Sequence, residues 1–253
     1  MIDDPFFYLC AVPAVLISGL SKGGLGGGLG VVAVPMMALA ISPVQAAGIM
    51  LPILCCMDVV GMFAYWRQWD RTAVIVLLGG AVVGIAIGAL GFRYLDAATI
   101  RLMVGTIAVA FALNHWFGRK GADGKARRPG PVAGVFWGAV SGFTSTVAHA
   151  GSPPVSIYLL PQALQRTVYQ ATTVIFFTAI NYIKLVPYAW LGQFTVENLT
   201  TSAVLAPIAI AGALSGVWVH RRVSEVLFFR LCYAFVFLIG LKLIWDGLSA
   251  MIG

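Results

Sequence analysis

Residues 18–30 read Ser-Gly-Leu-Ser-Lys-Gly-Gly-Leu-Gly-Gly-Gly-Leu-Gly and combine a single lysine with seven glycines. A glycine inside a helix costs about 1 kcal/mol relative to alanine, so this stretch predicts a sharp non-helical turn with open backbone amides. Lys22 adds a cation without a competing carboxylate in the stretch. Amide donors and a cation together suit an oxyanion. The candidate binding residues here are Ser21, Lys22, Gly23, Gly24, Gly26 and Gly27.

Two plainer interpretations of this stretch stay open. Small residues also let two membrane helices pack closely, which requires no ligand. A lysine near the end of a short apolar helix can extend its side chain to the membrane surface. A charge inside a membrane is costly and commonly functional, which favours a binding role for Lys22.

A second polar stretch, residues 141–154, reads Ser-Gly-Phe-Thr-Ser-Thr-Val-Ala-His-Ala-Gly-Ser-Pro-Pro. The two prolines can open a helix, and Ser152 precedes them in an N-cap position. The hydroxyl groups can donate to an anion and the histidine can titrate, although a lone histidine is more often a packing residue. The candidate binding residues here are Thr144, Ser145, Thr146, His149 and Ser152.

Two further polar residues, Asp58 and Asn181, fall inside long apolar runs at 44–65 and 167–190. A carboxylate at that depth is a proton carrier, a partner for Lys22 or an interfacial residue. We favour the first two roles. Asp58 and His149 are therefore predicted to couple the site to protons, and Asn181 is predicted to contact the substrate.

Signatures of enzymes and metal sites do not occur in the sequence. There is no HExxH motif, the three histidines are scattered, and the four cysteines lie in apolar segments without metal-type spacing. The pattern Gly28-x-Gly30-x-x-Ala33 loosely matches a dinucleotide fingerprint, but no strand context surrounds it and no acid follows at the right distance. We expect no cofactor, no bound metal and no enzyme activity.

The composition assigns these residues to a membrane. Of the 253 residues 60% are hydrophobic and 10% are charged, whereas a soluble domain is about half apolar and a quarter charged. A hydrocarbon core about 30 Å thick is crossed by roughly 20 helical residues. The apolar runs predict an all-α integral membrane protein in the plasma (inner) membrane, surrounded by lipid. The net charge is +7, and the basic residues lie mostly between these runs, where the positive-inside bias of membrane proteins accounts for them. We therefore expect no nucleic acid partner.

The apolar runs form two similar halves. A shift of 123 residues aligns Ser18 with Ser141, Asp58 with Asn181 and Tyr65 with Tyr188. We predict two repeats, each a broken, re-entrant helical hairpin followed by three transmembrane helices. Repeat 1 covers 1–117, with a hairpin at 5–41 and helices at 44–65, 72–92 and 98–117. A basic cytoplasmic linker covers 118–130. Repeat 2 covers 131–253, with a hairpin at 131–164 and helices at 167–190, 199–219 and 226–248.

A count of charges predicts that the two repeats are inverted. If each hairpin enters and leaves on one side, one face collects about eleven basic residues and the other has Arg93 and Arg101. A parallel arrangement gives about seven against seven, so the positive-inside rule favours inversion. The linker is then cytoplasmic and both termini are outside. If both short runs crossed the membrane fully, each repeat would still have an odd number of crossings, so the charge count does not distinguish this arrangement from a hairpin. A helix of about 12 residues reaches only about 18 Å, which favours the hairpin.

The motif Ser-Lys-Gly-Gly-Leu-Gly-Gly-Gly at 21–28, with Val34-Pro35 and Gln45-Ala46-Ala47, resembles the sulfite exporter TauE/SafE family, also called the toluene sulfonate uptake permeases. The resemblance covers essentially the whole chain. It implies transport of small sulfur-containing anions such as sulfite or organosulfonates, with Lys22 and its glycines as the hairpin motif. The second half departs from it, with Thr144–Thr146 and His149 in place of a glycine run.

Together, the residues and the resemblance predict a proton-coupled secondary transporter for a small anion, working by alternating access, and they allow a homodimer. A passive anion channel and an intramembrane enzyme are the alternatives. A channel carries flux only down the gradient of the anion, and an enzyme turns over its substrate in a purified assay.

Overall fold

The computed structural model describes residues 1–24, 30–66, 68–117, 128–219 and 225–252. These residues are helical, with no strand among them. The helices are α1 (Pro5–Gly24), α2 (Ala33–Met37), α3 (Pro43–Tyr65), α4 (Arg71–Tyr94), α5 (Ala97–Phe117), α6 (Pro131–Ala148), α7 (Ser152–Leu159), α8 (Arg166–Trp190), α9 (Val196–Val219) and α10 (Glu225–Ile252).

Five of these helices are long and apolar enough to cross a membrane, which confirms a multi-pass, all-α membrane protein. They are α1, α3, α4, most of α9, and α5 as far as Asn114. Helix α8 is long but differs in carrying several buried polar side chains, among them Gln170, Thr173 and Lys184. Buried polar groups on a long helix in such a protein face the interior of the bundle rather than lipid.

Polar side chains cap the starts of several helices, as their sequences lead one to expect. Ser42 Oγ accepts from the Gln45 amide at the start of α3, and Asp70 Oδ1 accepts from the Ala73 amide at the start of α4. Asp96 accepts from the Thr99 amide before α5, and these hydrogen bonds lower the pKa of its exposed carboxyl group. A cap satisfies an amide that the first turn of a helix leaves unpaired.

The first glycine-rich stretch differs from its prediction. Helix α1 continues through Ser21, Lys22 and Gly23 to Gly24, so these residues are helical rather than part of a non-helical turn. The reason is close packing: a Cβ atom at Gly19 would lie 2.7 Å from the Ala209 carbonyl oxygen of α9. Glycine keeps the helix here because the backbone of α9 leaves no room for a side chain.

Helix α1 ends at Gly24, and the next described residue is Gly30. Gly30–Val32 form a single 3-10 turn, and the following helix α2 has only five residues. Gly26 and Gly27 lie outside the described residues. The second break is complete in the structure: His149 has a φ of 50° and ends α6, and the eight-residue helix α7 then begins at Ser152. Gly151 is the N-cap of α7, so the N-cap position predicted for Ser152 was wrong by one residue.

Small residues line two closely packed helix pairs. Helix α1 packs against α9, and α6 packs against α4. Gly80 and Gly84 of α4 lie against backbone atoms of α6, while Gly212 and Gly216 of α9 lie against α1. These are the two glycine rows whose spacing of four residues is typical of membrane helix packing. The α1–α9 and α6–α4 pairs each join a helix from one half of the chain to a helix from the other.

Contacts across α3 and α8 give the relative direction of these two helices. Asp58 contacts Asn181, whereas Gly61, one turn later on α3, lies against Val174, earlier on α8. The two helices are therefore antiparallel. Helices α5 and α10 are antiparallel as well, because Gly105 lies against Gly240 while Ala98 lies against Gly247.

Helices α1, α3 and α9 run in the same direction. Gly19 lies against Ala209 and Gly23 against Ala213, so residue numbers rise together on α1 and α9. Gln45 Nε2 donates to Asn198, and Ser202, one turn later, donates to the Ile49 carbonyl, so α3 is also parallel to α9. Because α1 and α3 are parallel, the segment between them must return to the side from which α1 began.

Candidate functional site

A cavity of about 40 Å³ lies where the end of α1 meets the break between α6 and α7. A water molecule needs roughly 10–15 Å³ of such space, so the cavity suits a few atoms and not a bulky solute. Its walls come from α1, α3, α6, α7 and α8. The lining residues are Ser18, Lys22, Gly30, Leu54, Ser145, His149, Ser152, Phe177 and Asn181.

Lys22 forms an ion pair on one side of this cavity. Its Nζ lies 2.6 Å from Asp58 Oδ1 and donates to the Leu54 carbonyl oxygen at 3.1 Å. The Lys22 side chain is 11% exposed and the Asp58 side chain is fully buried. This contact selects the ion-pair role for Asp58 and excludes the surface-directed conformation of Lys22, because the ammonium points into the protein.

Asn181 completes this group from the opposite helix. Its Nδ2 donates to Asp58 Oδ2 at 2.7 Å, so the carboxylate is held between an ammonium and an amide. Asp58 and Asn181 are the residues that the 123-residue shift aligns, and they touch each other across the α3–α8 crossing. The sequence predicted their equivalence but not their contact.

A second polar group lies on the other side of the cavity and centres on Lys184. This lysine is fully buried, and its Nζ donates to the Ser145 carbonyl at 3.1 Å and to Ser145 Oγ at 2.9 Å. The third contact is with His149 Nδ1 at 2.9 Å. All three hydrogens of the ammonium group are thus used within the protein.

The contacts of His149 fix its charge state. Its Nε2 lies 3.0 Å from the Ala47 carbonyl oxygen, which can only accept, so Nε2 carries the hydrogen. Its Nδ1 accepts from Lys184, so this nitrogen carries none. His149 is therefore a neutral imidazole that joins the α6–α7 break to α3.

Two tyrosines hold the two breaks in the same manner. The Tyr65 hydroxyl donates to the Gly23 carbonyl at 2.9 Å, and the Tyr188 hydroxyl donates to the Thr146 carbonyl at 2.6 Å. Both pairs are 42 residues apart and are related by the shift of 123. Each tyrosine donates to a carbonyl in the last turn of its helix, where carbonyls commonly lack an intrahelical donor.

The model of the sulfite exporter TauE/SafE family matches residues 11–243 of the chain. The chain belongs to this family. The match confirms the resemblance carried by the motif at 21–28, and a family of sulfite exporters is a family of membrane transporters for a small anion. Neither a curated protein nor a solved structure matches the chain.

Not every predicted residue reaches the cavity of this TauE/SafE chain. Thr144 donates to the Val140 carbonyl and Thr146 to the Gly142 carbonyl, one turn back on their own helix. Such bonds occupy the hydroxyl within the helix, and neither side chain lines the cavity. Ser21, Gly23 and Gly24 are buried in α1 and also lie outside the lining.

Sequence reasoning missed two residues of the site, Lys184 and Ser18. Lys184 lies three residues after Asn181 and so on the same face of α8, a spacing that could have identified it. Ser18 lines the cavity, and its buried Oγ has no hydrogen-bond partner in the described part of the chain. A buried hydroxyl without a partner is costly, so it points to a ligand or water in the cavity.

Proposed function

We propose that this TauE/SafE chain is a secondary transporter that carries a small sulfur-containing anion, such as sulfite or an organosulfonate, across the plasma (inner) membrane. One observation carries the proposal: the Lys22 ammonium and the Ser18 hydroxyl, which has no hydrogen-bond partner among the described residues, line one cavity together with Ser145 and Asn181. Each of these groups can donate a hydrogen bond to an oxyanion. The small volume favours the headgroup of such an anion over a larger organic solute.

We infer that the chain consists of two inverted repeats, 1–117 and 131–253, joined by the linker 118–130. Three findings support this division. Helices α3 and α8 are antiparallel, as are α5 and α10, and each pair consists of equivalent helices. Helix α1 of the first half packs against α9 of the second half, and the equivalent helix of the second half, α6, packs against α4 of the first. The Tyr65 and Tyr188 hydrogen bonds are also equivalent. In transporters of this design, one repeat rocks against the other and exposes a central site to each side in turn.

Proton coupling is assigned to Asp58. The anion and the Asp58 carboxylate compete for the same Lys22 ammonium, because the ion pair borders the cavity. A proton on Asp58 removes the competitor and frees Lys22 for the anion. Binding of anion and proton is then mutually favourable, which is the requirement for coupling. His149 is a weaker candidate, since both of its nitrogens are used within the protein.

The orientation follows from the ends that the helices share. Arg71 begins α4 and Arg128 pairs with Asp70 at 3.4 Å, so the starts of α4 and α6 lie at one end, which we assign to the cytoplasm. The amide of Ile2 donates to Thr201 near the start of α9, and Gly247 lies against Ala98. Both termini are then at the opposite, outer end.

Transport into proteoliposomes tests the proposal. Purified protein is reconstituted, a pH gradient is imposed, and radiolabelled sulfite or methanesulfonate is measured on both sides. The proposal predicts accumulation against the gradient of the anion, driven by the pH gradient. Flux that only follows the gradient of the anion identifies a passive channel, and no flux with any sulfur anion rejects the assignment.

A further inference from the structure

The positive charge of Lys184 has no counterpart in the described structure. Its side chain is fully buried, and no described carboxylate forms an ion pair with it. Its partners are a carbonyl, a hydroxyl and the neutral nitrogen of His149. An isolated buried cation costs several kcal/mol unless something compensates it. A lysine kept in such a place is a candidate for interaction with a negatively charged ligand.

The charges around the cavity add to one positive unit. Lys22 and Asp58 form an ion pair and cancel. His149 is neutral by its hydrogen bonds, and Asn181 carries no charge. The net charge of this group of residues is therefore the charge of Lys184. Lys184 contacts Ser145 and His149, and both of these residues line the cavity. Charges in a low-dielectric site interact strongly, so an anion that neutralises this unit is favoured over one that leaves an excess.

Lys184 also orients the hydroxyl of Ser145. Because the ammonium donates to Ser145 Oγ, a lone pair of that oxygen is occupied and the hydroxyl hydrogen is left to donate elsewhere. Ser145 itself lines the cavity. The hydroxyl can then act as a donor to an anion. Lys184 is thus a positioning residue, since its own three hydrogens are already used.

We propose that Lys184 makes the site selective for a singly charged oxyanion, such as a sulfonate or hydrogen sulfite, over a doubly charged one of similar size. The inference rests on the proposed function and narrows its substrate class. With Asp58 ionised, one net positive charge meets one negative charge. The preference for a singly charged anion therefore applies to the state in which Asp58 is ionised and Lys22 is shared between Asp58 and the anion. Protonation of Asp58, the coupling step proposed above, strengthens anion binding, leaves two positive charges and shifts the preference toward a doubly charged anion.

Binding of two probes at neutral pH tests this inference on full-length protein in lipid nanodiscs. The probes are methanesulfonate, which carries one charge, and sulfate, which carries two. Wild-type protein is expected to bind methanesulfonate at least about tenfold more tightly than sulfate. Lys184→Gln is expected to weaken methanesulfonate binding by about tenfold or more, and Lys184→Arg to retain part of the preference. Lys242→Gln, the same change in an exposed pair with Asp246, serves as the control.

Asp58→Asn provides a second test that leaves Lys184 in place. Its neutral amide leaves two positive charges, so the ratio of affinities is expected to shift toward sulfate by about tenfold or more. If Lys184→Gln does not fold, this shift in the affinity ratio is the test of the inference. Unchanged methanesulfonate binding in folded Lys184→Gln, or an unchanged ratio in Asp58→Asn, overturns the inference alone. Failure of wild-type protein to bind either anion overturns the proposed function, and this inference with it.

Discussion

The two breaks in the helical backbone share a scaffold but differ in their charged groups. At the end of α1, the lysine belongs to the hairpin and pairs with a carboxylate on the long helix α3. At the end of α6 the arrangement is reversed, because Lys184 belongs to the long helix α8 and contacts Ser145 and His149 of the hairpin. The tyrosine contacts that hold the two breaks are alike.

The comparison teaches that the backbone arrangement and the chemistry of this site are separable. Matching helix pairs and matching tyrosines give both halves the same frame, whereas the carboxylate that pairs with a lysine at the cavity, Asp58, belongs to the first half. Asn181 occupies the position equivalent to Asp58 and cannot take up or release a proton. Under the proposed mechanism, the first half supplies the carboxylate that takes up a proton, and the second half supplies the buried amino group of Lys184. The predictions below test this division of roles.

The largest effect is expected from loss of Lys22. Lys22→Gln leaves the buried Asp58 without its cation, which typically costs about 3–5 kcal/mol, and removes the main donor of the cavity. Both stability and sulfite uptake should fall sharply. In the double variant Lys22→Gln/Asp58→Asn, folding should recover while uptake stays absent, as measured by thermal unfolding and proteoliposome flux. Recovery of uptake in the double variant would contradict the role of Lys22.

Replacement of the carboxylate should separate flux from coupling. Asp58→Asn keeps the neighbouring amide contact to Asn181 available and releases Lys22, so anion flux down its own gradient should persist. Accumulation driven by a pH gradient should be lost, because the carboxylate that pairs with Lys22 beside the cavity can no longer take up a proton. The measurement is the steady-state ratio of labelled anion inside and outside. If the variant still concentrates the anion on a pH gradient, the proton enters elsewhere.

A moderate effect is expected where α4 of the first half packs against α6 of the second half. Alanine at Gly84 would place its Cβ on the backbone of α6 at Ala139, so the α4–α6 pair must separate, with a loss of about 1–3 kcal/mol. Gly79→Ala on the same helix meets no neighbouring atom and should leave thermal stability unchanged or raise it slightly. Equal behaviour of the two variants would show that this contact is not a tight packing surface.

The smallest effect is expected from the two tyrosines. Tyr65→Phe and Tyr188→Phe each remove one hydrogen bond to a carbonyl at a break, and each should lower the free energy of unfolding by about 0.5–1.5 kcal/mol. Because the two contacts are alike, the losses should be similar, although Tyr188 is the more deeply buried of the two. Thermal unfolding of both variants in the same lipid measures this. A loss in only one of them would argue against a shared scaffold.

The long helices were predictable because the membrane imposes a simple rule on them. The predicted starts at 44, 72 and 98 lie within one residue of the starts of α3, α4 and α5. Hydrophobic length and capping residues decide such ends locally. The end of α1 was predicted wrongly, because its glycines were interpreted by helix propensity alone, whereas the neighbouring α9 decides the backbone there.

The site could be predicted only in part, for a similar reason. Lys22, Ser145, His149 and Asn181 were identified by residue type inside apolar sequence, and all four line the cavity. Thr144 and Thr146 have the same chemistry as Ser145, but their positions on the helix direct their hydroxyls to its own carbonyls. Which face of α6 meets α8 depends on tertiary packing, and this also hid the contact between Lys184 and His149.

The most direct test of an anion site between the two breaks is a structure of the protein with selenite, an analogue of sulfite that gives anomalous X-ray scattering. The account predicts an anomalous peak in the cavity, within hydrogen-bond distance of Lys22 Nζ, Ser18 Oγ and Ser145 Oγ. Peaks confined to the protein surface, with Lys22 still paired to Asp58 and the cavity holding only water, would contradict it.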